Sequence, residues 1–189
     1  MKRAAEISSA TGCRIVTDTF ISRIRRGAGL PIIEQVPYFA EMAEEFLKNT
    51  AGVVFIGTSV PVSFFAYPDK KSYLLPTETK IINLCSPNQD GHDALNALSA
   101  ESGSSSINQD LIQSSIIDIP TSGILDSSSF GPLLAGLMPE NAIVSDESAT
   151  SSLFVTSHTL GAKPHDWLAL TGGSIGQGLP LAVGAAIAK

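Results

Sequence analysis

The apolar and polar positions of the first hundred residues alternate between a helical period and short apolar runs. After Pro37, apolar residues recur at i, i+3 and i+4, which predicts an amphipathic helix that this proline opens. Apolar runs at 52–57 and 80–84 are typical of buried parallel strands. The pattern further predicts helices at 3–10 and 94–100 and a strand at 14–17. This alternation predicts an α/β fold in which a parallel, Rossmann-like sheet carries helices on its faces.

The pattern changes after residue 100. Residues 101–126 are rich in Ser, Asn, Gln and Gly and have no clear period, so they predict a linker between a domain at 1–100 and a second one at 127–189. The second domain opens with a predicted helix at 127–137, with Ser127–Ser129 as caps and Pro132 near its first turn. Further elements are predicted as strands at 142–144 and 167–170 and an apolar helix at 179–188.

Composition and charge exclude several classes of function. Of the 189 residues, 16% are charged, and the net charge of −6 argues against non-specific binding to nucleic acid. The one basic cluster, Arg23, Arg25 and Arg26, lies in a predicted loop at 23–29 and is too short for that role. No apolar run reaches the 18 or more residues of a membrane span, and the polar N-terminus predicts no secretory signal. We therefore expect a cytoplasmic protein without a membrane or nucleic-acid partner.

Cysteines and histidines offer no metal site by their spacing. Cys13 and Cys85 lie in apolar, strand-like surroundings and are predicted to be reduced core residues. His92, His158 and His165 are far apart, without a carboxylate or cysteine at a ligand spacing, and are predicted to be surface or capping residues.

Two loops carry the candidate chemistry, and they lie about 25 residues apart in the chain. Residues 171–180 form a glycine-rich turn between a predicted strand and helix, and residues 145–152 are a run of small hydroxyl residues after another predicted strand. Such strand–loop–helix turns direct backbone N–H groups toward an anion, so the pair suggests a cofactor with a phosphate at one end and a flat ring at the other. Glycine-rich turns of this kind also occur throughout α/β proteins for conformational reasons alone. Neither the GxGxxG nor the GxxxxGK[ST] pattern is present.

The acidic and hydroxyl residues of the 145–152 loop do not form a recognisable catalytic group. No G-x-S-x-G elbow surrounds its serines. Asp146 and Glu147 are adjacent, so they point different ways and do not make a carboxylate dyad. If Ser148 begins a helix, both acidic side chains lie at its N-terminus and interact favourably with the helix dipole.

The amino-acid sequence of the two loops resembles that of the thiamine-diphosphate-dependent decarboxylase and acetolactate synthase superfamily, and most of all its benzoylformate decarboxylase-like branch. The resemblance is carried by Gly-Ser-Ile-Gly at 173–176 and by the acidic, hydroxyl-rich segment 140–152. It implies an enzyme that acts on 2-keto acids with thiamine diphosphate and Mg²⁺, by decarboxylation or by acetolactate-synthase-type carboligation. The full-length enzyme would be a homodimer or homotetramer, with residues 1–100 as a middle domain lacking its first strand and 127–189 as the truncated start of the cofactor-binding domain.

The resemblance assigns roles to nine residues. The carbonyl of Gly173 would accept from the 4′-amino group of the cofactor, and Ile175 would hold the cofactor in its bent conformation. Gly172 and Ser174 would also bind the cofactor. The diphosphate would be held by Glu147, Ser148, Ala149, Thr150 and Ser151.

Departures from the family pattern limit what this chain is expected to do alone. The activating glutamate belongs to an N-terminal domain, and the Mg²⁺-binding Gly-Asp-Gly and Asn would follow residue 189, so the expected catalytic and metal-binding residues lie outside the chain. Ala149 replaces a hydroxyl residue, and no histidine occurs at 23–29, which argues against benzoylformate itself as substrate. The chain alone is therefore predicted to be an inactive fragment. The alternative is a non-catalytic nucleotide-binding or assembly module.

A proline- and aromatic-rich loop at 58–76 is the remaining candidate for ligand contacts. It also resembles the family's middle domain, which binds FAD in acetolactate synthases, but it carries no FAD fingerprint, so flavin is disfavoured. Phe64, Phe65 and Tyr67 have two interpretations: they contact a ligand, or they cap the end of the sheet.

Overall fold

The computed structural model describes residues 1–66, 68–103, 106–115, 118–150 and 155–189, which form two compact units. The first unit consists of Met1–Thr19 and Ile33–Ile107, and the second of Phe20–Ile32 and Asn108–Lys189. The predicted α/β class with parallel strand pairing is confirmed.

Six α-helices and seven strands follow one another along the described residues. The helices are α1 (Lys2–Thr11), α2 (Ala40–Leu47), α3 (Gly91–Glu101), α4 (Ser127–Leu137), α5 (Val155–His158) and α6 (Gly178–Ala188). The strands are β1 (Val16–Thr17), β2 (Ile24–Arg26), β3 (Glu34–Gln35), β4 (Gly52–Ile56), β5 (Lys80–Cys85), β6 (Ile143–Ser145) and β7 (His165–Leu168). Single 3₁₀ turns lie at Gln109–Leu111 and Thr171–Gly173.

The first unit contains two parallel strand pairs, β1–β3 and β4–β5. The β4–β5 register places Gly52 opposite Lys80, and it confirms parallel strands at the two predicted apolar runs. The prediction that these strands are buried is wrong for most of β5, where Ile81 and Ile82 are exposed. Helix α2 packs one face into a small core, as the predicted amphipathic pattern requires, but it begins at Ala40 and not at Pro37, and Met42 at one of the apolar positions is exposed. The buried members of that core are Val36, Ala40, Ala43, Leu47 and Leu74.

Helix α1 ends where the sequence predicts, because Gly12 adopts the left-handed conformation with φ of 74° and its N–H donates to the carbonyl of Ser8. The helix contacts α3 through the buried carboxylate of Glu6, which accepts from Arg3 Nη1 at 2.7 Å and from Ser99 Oγ at 2.9 Å. The prediction that both cysteines lie in the core is wrong for Cys13, which is exposed in the turn that follows α1, and right for Cys85.

The second unit is built on a three-stranded sheet in the order β2–β7–β6. Strands β6 and β7 are parallel, and β2 is antiparallel to β7, with Ile24 opposite Trp167 and Arg26 opposite His165. The predicted loop at 23–29 is therefore wrong, because the pairing partner of β2 lies some 140 residues further along the chain and three residues are too few to show a period.

The compact units differ from the predicted division of the chain at residues 20–32. These residues were expected within a domain at 1–100, whereas the pairing of β2 with β7 includes them in the second unit. The start of helix α4 also differs in detail. Its N-cap is Asp126, which forms a capping box with Ser129, and Pro132 lies inside the helix beyond its first turn. Within the described ranges, no helix has both the length and the apolar character needed to cross a membrane.

Candidate functional site

The two predicted cofactor loops begin at the same edge of the sheet in the second unit. Because β6 and β7 are parallel neighbours, with Ser145 opposite Leu168, the chain leaves both strands in the same direction. The hydroxyl of Ser145 donates to the carbonyl of Gly178 at 2.8 Å, 33 residues further along the chain. The structure thus brings the 146–150 loop and the glycine-rich turn together.

The glycine-rich turn has glycine at three positions where the backbone is left-handed. Gly172, Gly173 and Gly176 have φ of 66°, 66° and 93°, which is the left-handed region that side-chain-bearing residues rarely adopt. A Cβ on any of these three glycines would meet no atom within 4 Å, so crowding does not select glycine there. Residues 171–176 are exposed, and 89% of the surface of Ile175 is open to solvent.

Gly178, the first residue of α6, is a glycine for the opposite reason. A Cβ at this position would lie 2.7 Å from Oε2 and 2.9 Å from Cβ of Glu147, closer than real side chains approach each other. The small size of Gly178 therefore lets the 146–150 loop reach the start of α6.

The Glu147 carboxylate occupies the space beside Gly178. Its two oxygens accept hydrogen bonds from the backbone N–H groups of Gly176 and Gly178. These two hydrogen bonds, of which the one from Gly176 has the larger effect, hold the pKa of Glu147 below its ordinary value of 4.5. Ser148 does not begin a helix, since residues 149–150 form a turn, and the Glu147 carboxylate lies instead at the N-terminus of α6.

Asp146 faces a different set of partners. Its Oδ2 accepts from the indole Nε1 of Trp167 at 3.2 Å, and its Oδ1 accepts from the backbone N–H and the hydroxyl of Ser148. The adjacent carboxylates of Asp146 and Glu147 therefore do not form a dyad, as predicted.

Beneath Asp146, the guanidinium of Arg26 is buried against the indole ring of Trp167, with 4.0 Å between Cζ and the ring centroid. Arg26 Nη1 donates to the carbonyl of Thr156 at 3.0 Å, and Nη2 donates to Thr159 Oγ1 at 2.5 Å. Burial lowers the pKa of Arg26 to about 10. Sequence reasoning missed this residue, because a run of basic residues is ordinarily a solvated surface.

His165 completes the buried cluster. Its Nε2 accepts from Arg26 Nε at 3.2 Å, and its Nδ1 lies 2.8 Å from the carbonyl of Lys163. Because Arg26 can only donate, this arrangement requires the neutral imidazole with its proton on Nδ1. Burial, as the leading cause, lowers the pKa of His165 below its ordinary value of 6.5. The prediction of a surface or capping residue is wrong for His165, whose exposed surface is 0%.

Asp166, the neighbour of His165, is buried on the other side of β7. Its carboxylate accepts from Arg23 at 3.1 and 3.2 Å and lies 3.5 Å from Arg25 Nη1. The three arginines of the basic cluster are therefore partners of β7, and their spacing gives no signal of this arrangement.

The other predicted cofactor-binding residues lie around the two loops. Ala149 has φ of 43° and is exposed, as is Thr150. The Ser174 N–H closes the 3₁₀ turn by donating to the carbonyl of Thr171 at 3.4 Å. Ser151 falls outside the described residues.

An apolar stripe runs from the glycine-rich turn along α6. It consists of four exposed residues spaced four apart, Ile175, Leu179, Val183 and Ile187. No residue of α6 is buried.

The aromatic loop of the first unit contacts the segment before α2. The ring of Phe64 stacks on Tyr38 with centroids 5.3 Å apart, and Phe65 lies edge-on to Tyr38 at 6.1 Å. All three rings are substantially exposed, and Tyr67 lies outside the described residues. In the part of the chain that the structure describes, no group of three or more His, Cys, Asp or Glu side chains is arranged to hold a metal ion.

Comparison with known proteins finds a similarity over almost the whole chain. The sequence is 43% identical over 185 residues to a Mycobacterium tuberculosis protein named "Putative acetolactate synthase large subunit IlvX". The alignment covers 98% of this chain and 35% of that protein, so the chain spans about a third of the length of the relative it matches. No family model and no solved structure matches the chain. The chain is thus similar to one part of an acetolactate synthase-like protein, while the benzoylformate decarboxylase-like branch stays a prediction.

Proposed function

We propose that this chain is part of a thiamine-diphosphate-dependent enzyme that acts on 2-keto acids, by decarboxylation or by acetolactate-synthase-type carboligation. The observation that carries the proposal is the identity of 43% with a protein named as an acetolactate synthase large subunit, over nearly the whole chain. The meeting of the two loops at one sheet edge supports it, because a cofactor with two unlike ends needs two adjacent binding loops.

The glycine-rich turn fits the ring end of the cofactor. The backbone of residues 171–176 is exposed, and open space surrounds Gly172 and Gly173, so a flat ring has access to the peptide groups. The exposed side chain of Ile175 offers an apolar surface for the bent cofactor. The N–H groups of Gly176 and Gly178 already donate to the carboxylate of Glu147, which favours a ring over a phosphate at this turn.

The 146–150 loop fits the diphosphate end. The N–H and the hydroxyl of Ser148 donate to Asp146, so the exposed backbone of Ala149 and Thr150 is the part of the described loop that we expect to face the diphosphate. Ser151 is proposed as a further contact.

Thiamine diphosphate would supply the carbon nucleophile and the electron sink for the keto carbon. The residues of this chain would bind and orient that cofactor. The catalytic acid–base residues and the Mg²⁺ ligands are expected in parts of the enzyme that the chain does not contain. We therefore propose that this chain alone has no turnover, that the working enzyme is a homodimer or homotetramer, and that flavin is not required.

Three measurements test the proposal. The native protein in its source cells should have a subunit mass about three times the 19.8 kDa of this chain, in line with the 35% coverage of its relative. The enzyme of that size should bind thiamine diphosphate with Mg²⁺ and release CO₂ from a 2-keto acid such as pyruvate. Decarboxylation of pyruvate or benzoylformate by the purified 189-residue chain would contradict the proposed inactivity.

The alternative function is a non-catalytic module that binds a nucleotide. The exposed rings of Tyr38, Phe64 and Phe65 favour it, since a stacked aromatic cluster provides a surface for a flat base. A native subunit of 19.8 kDa that purifies with an adenine nucleotide would support this alternative and overturn the enzyme assignment.

A further inference from the structure

A single side chain joins the two candidate cofactor loops. Glu147 belongs to the 146–150 loop, and its carboxylate accepts from Gly176 and Gly178, which lie 29 and 31 residues further along the chain. Gly178 is held at both of its backbone groups, because its N–H donates to Glu147 while its carbonyl accepts from the hydroxyl of Ser145.

Hydrogen bonding and charge both hold the Glu147 carboxylate in place. The carboxylate uses both oxygens, one for each amide, and it lies at the positive end of the α6 dipole, where a negative charge is stabilised. The absence of a Cβ at Gly178 allows this approach. Rotation of the Glu147 side chain away from α6 would break both hydrogen bonds at once.

The contact of Glu147 with Gly176 and Gly178 also lies between the two parts of the proposed cofactor site. The neighbours of Glu147 on one side, Ala149 and Thr150, are proposed to face the diphosphate, and the neighbours of Gly176 on the other side, Gly173 and Ile175, are proposed to face the ring. The distance between these two ends must match the length of the bound cofactor, since misplacement by about 1 Å is costly in a binding site.

We infer that the Glu147 side chain is a positioning residue, which couples the 146–150 loop to the glycine-rich turn and sets the separation of the two ends of the cofactor site. This inference rests on the proposed function. It assigns Glu147 no contact with the cofactor through its carboxylate, which is used within the protein.

The test variant is Glu147→Gln, which keeps the size of the side chain. Its amide oxygen still accepts from one N–H group, but its NH₂ group is a donor and faces the second N–H group, so one of the two bonds is lost. The control is Glu140→Gln, the same charge change at an exposed residue of the second unit.

The first measurement needs no cofactor. Amide hydrogen exchange at Gly176 and Gly178, followed by NMR, should become about tenfold faster in Glu147→Gln than in the control, because the opening of the turn then costs less. Exchange equal to that of the control would overturn the inference.

The second measurement uses the full-length enzyme, because the Mg²⁺ ligands are expected outside this chain. It compares three ligands: thiamine diphosphate, thiamine and inorganic pyrophosphate, each with Mg²⁺. If Glu147 sets the separation of the two ends, the dissociation constant for the two-ended ligand should rise about tenfold in Glu147→Gln, while thiamine and pyrophosphate, which occupy one end each, bind as they do to the control. Equal weakening for all three ligands, or for none, would overturn the inference.

The two proposals fail in different ways. If the unaltered full-length enzyme binds no thiamine diphosphate, the proposed function is contradicted. If the unaltered enzyme and its Glu147→Gln variant bind it equally well, only the positioning role is contradicted. If Glu147→Gln does not fold, Glu147→Asp replaces it, because the shorter carboxylate keeps the charge but cannot span the same gap, and the same results are expected.

Discussion

The buried guanidinium of Arg26 lies 4.0 Å from the centre of the Trp167 ring, and the indole N–H of that ring donates to Asp146 at 3.2 Å. Arg26 comes from a strand near the start of the chain, while Asp146 begins one of the candidate cofactor loops. The contact with Trp167 thus connects the interior of the second unit to the loop that we propose to hold a diphosphate.

Replacement of Arg26 should destabilise the second unit. In Arg26→Ala, the stacking on Trp167 is lost, and His165 and Thr159 lose their buried hydrogen-bond donor. The free energy of unfolding should fall by about 3 kcal/mol, which is typical when one partner of a buried polar group is removed. Urea unfolding followed by Trp167 fluorescence measures the change, since Trp167 is the one tryptophan of the chain.

The matched control for that experiment is Arg25→Ala. The side chain of Arg25 is 42% exposed, lies 3.5 Å from Asp166 and donates to Asn141 Oδ1 at 2.6 Å. Because these contacts lie at an exposed surface, its removal should cost no more than about 1 kcal/mol. Equal losses in the two variants would contradict the assigned role of the buried guanidinium.

The stability of the second unit should depend on pH through His165. Burial lowers the pKa of His165 in the folded protein below its ordinary value of 6.5, so the unfolded chain binds the proton more strongly. The stabilisation is therefore complete above pH 6.5 and is lost as the pH falls from 6.5 through the lowered pKa of the folded state. Protonation would also direct a second N–H group at Arg26.

Urea unfolding between pH 7 and 5 tests this dependence. The slope of stability against pH should be smaller in His165→Gln, which does not titrate, and unchanged in the control His92→Gln on the exposed side of α3. A His165→Gln variant with the same slope as the unaltered protein would show that another group is responsible.

The loop structure of the site was largely predictable from the sequence, because its signals are local. Glycines at 172, 173 and 176 follow an apolar strand, and all three adopt the left-handed conformation that their residue type permits. The strands around them and the helices α4 and α6 likewise follow from apolar runs and periods within a few residues of each position.

The buried cluster could not be predicted, because it depends on partners far apart in the chain. Arg26 and His165 are separated by 139 residues, and each residue alone is more often found at the surface. The contact of Glu147 with Gly178 is of the same kind, because Glu147 belongs to one loop while the amide groups that donate to it belong to another segment of the chain. Local patterns carry no information about such pairs.

Two glycines of α6 should respond to alanine in opposite directions. In Gly178→Ala, the new Cβ would lie 2.9 Å from Cβ of Glu147 and displace its carboxylate, so we expect a destabilisation of about 1–2 kcal/mol and faster amide exchange at Gly176. In Gly184→Ala, the new Cβ meets nothing within 4 Å, and the helix should gain about 0.5–1 kcal/mol. Thermal unfolding of the two variants checks both signs, and a stabilising Gly178→Ala would contradict the close approach of Glu147.

The apolar stripe of α6 should cause self-association of this chain. Leu179, Val183 and Ile187 are all largely exposed, and contiguous apolar surface of this kind favours contact with another apolar surface. Sedimentation equilibrium should show species heavier than 19.8 kDa at micromolar concentrations, and Ile187→Lys should shift the protein toward the monomer because a charge in the stripe is costly to bury. Ala186→Lys adds the same charge at the neighbouring position outside the stripe and should have a smaller effect. A monomer with strong hydrogen-exchange protection throughout α6 would contradict this prediction, because it would mean that the helix is stably packed without a partner.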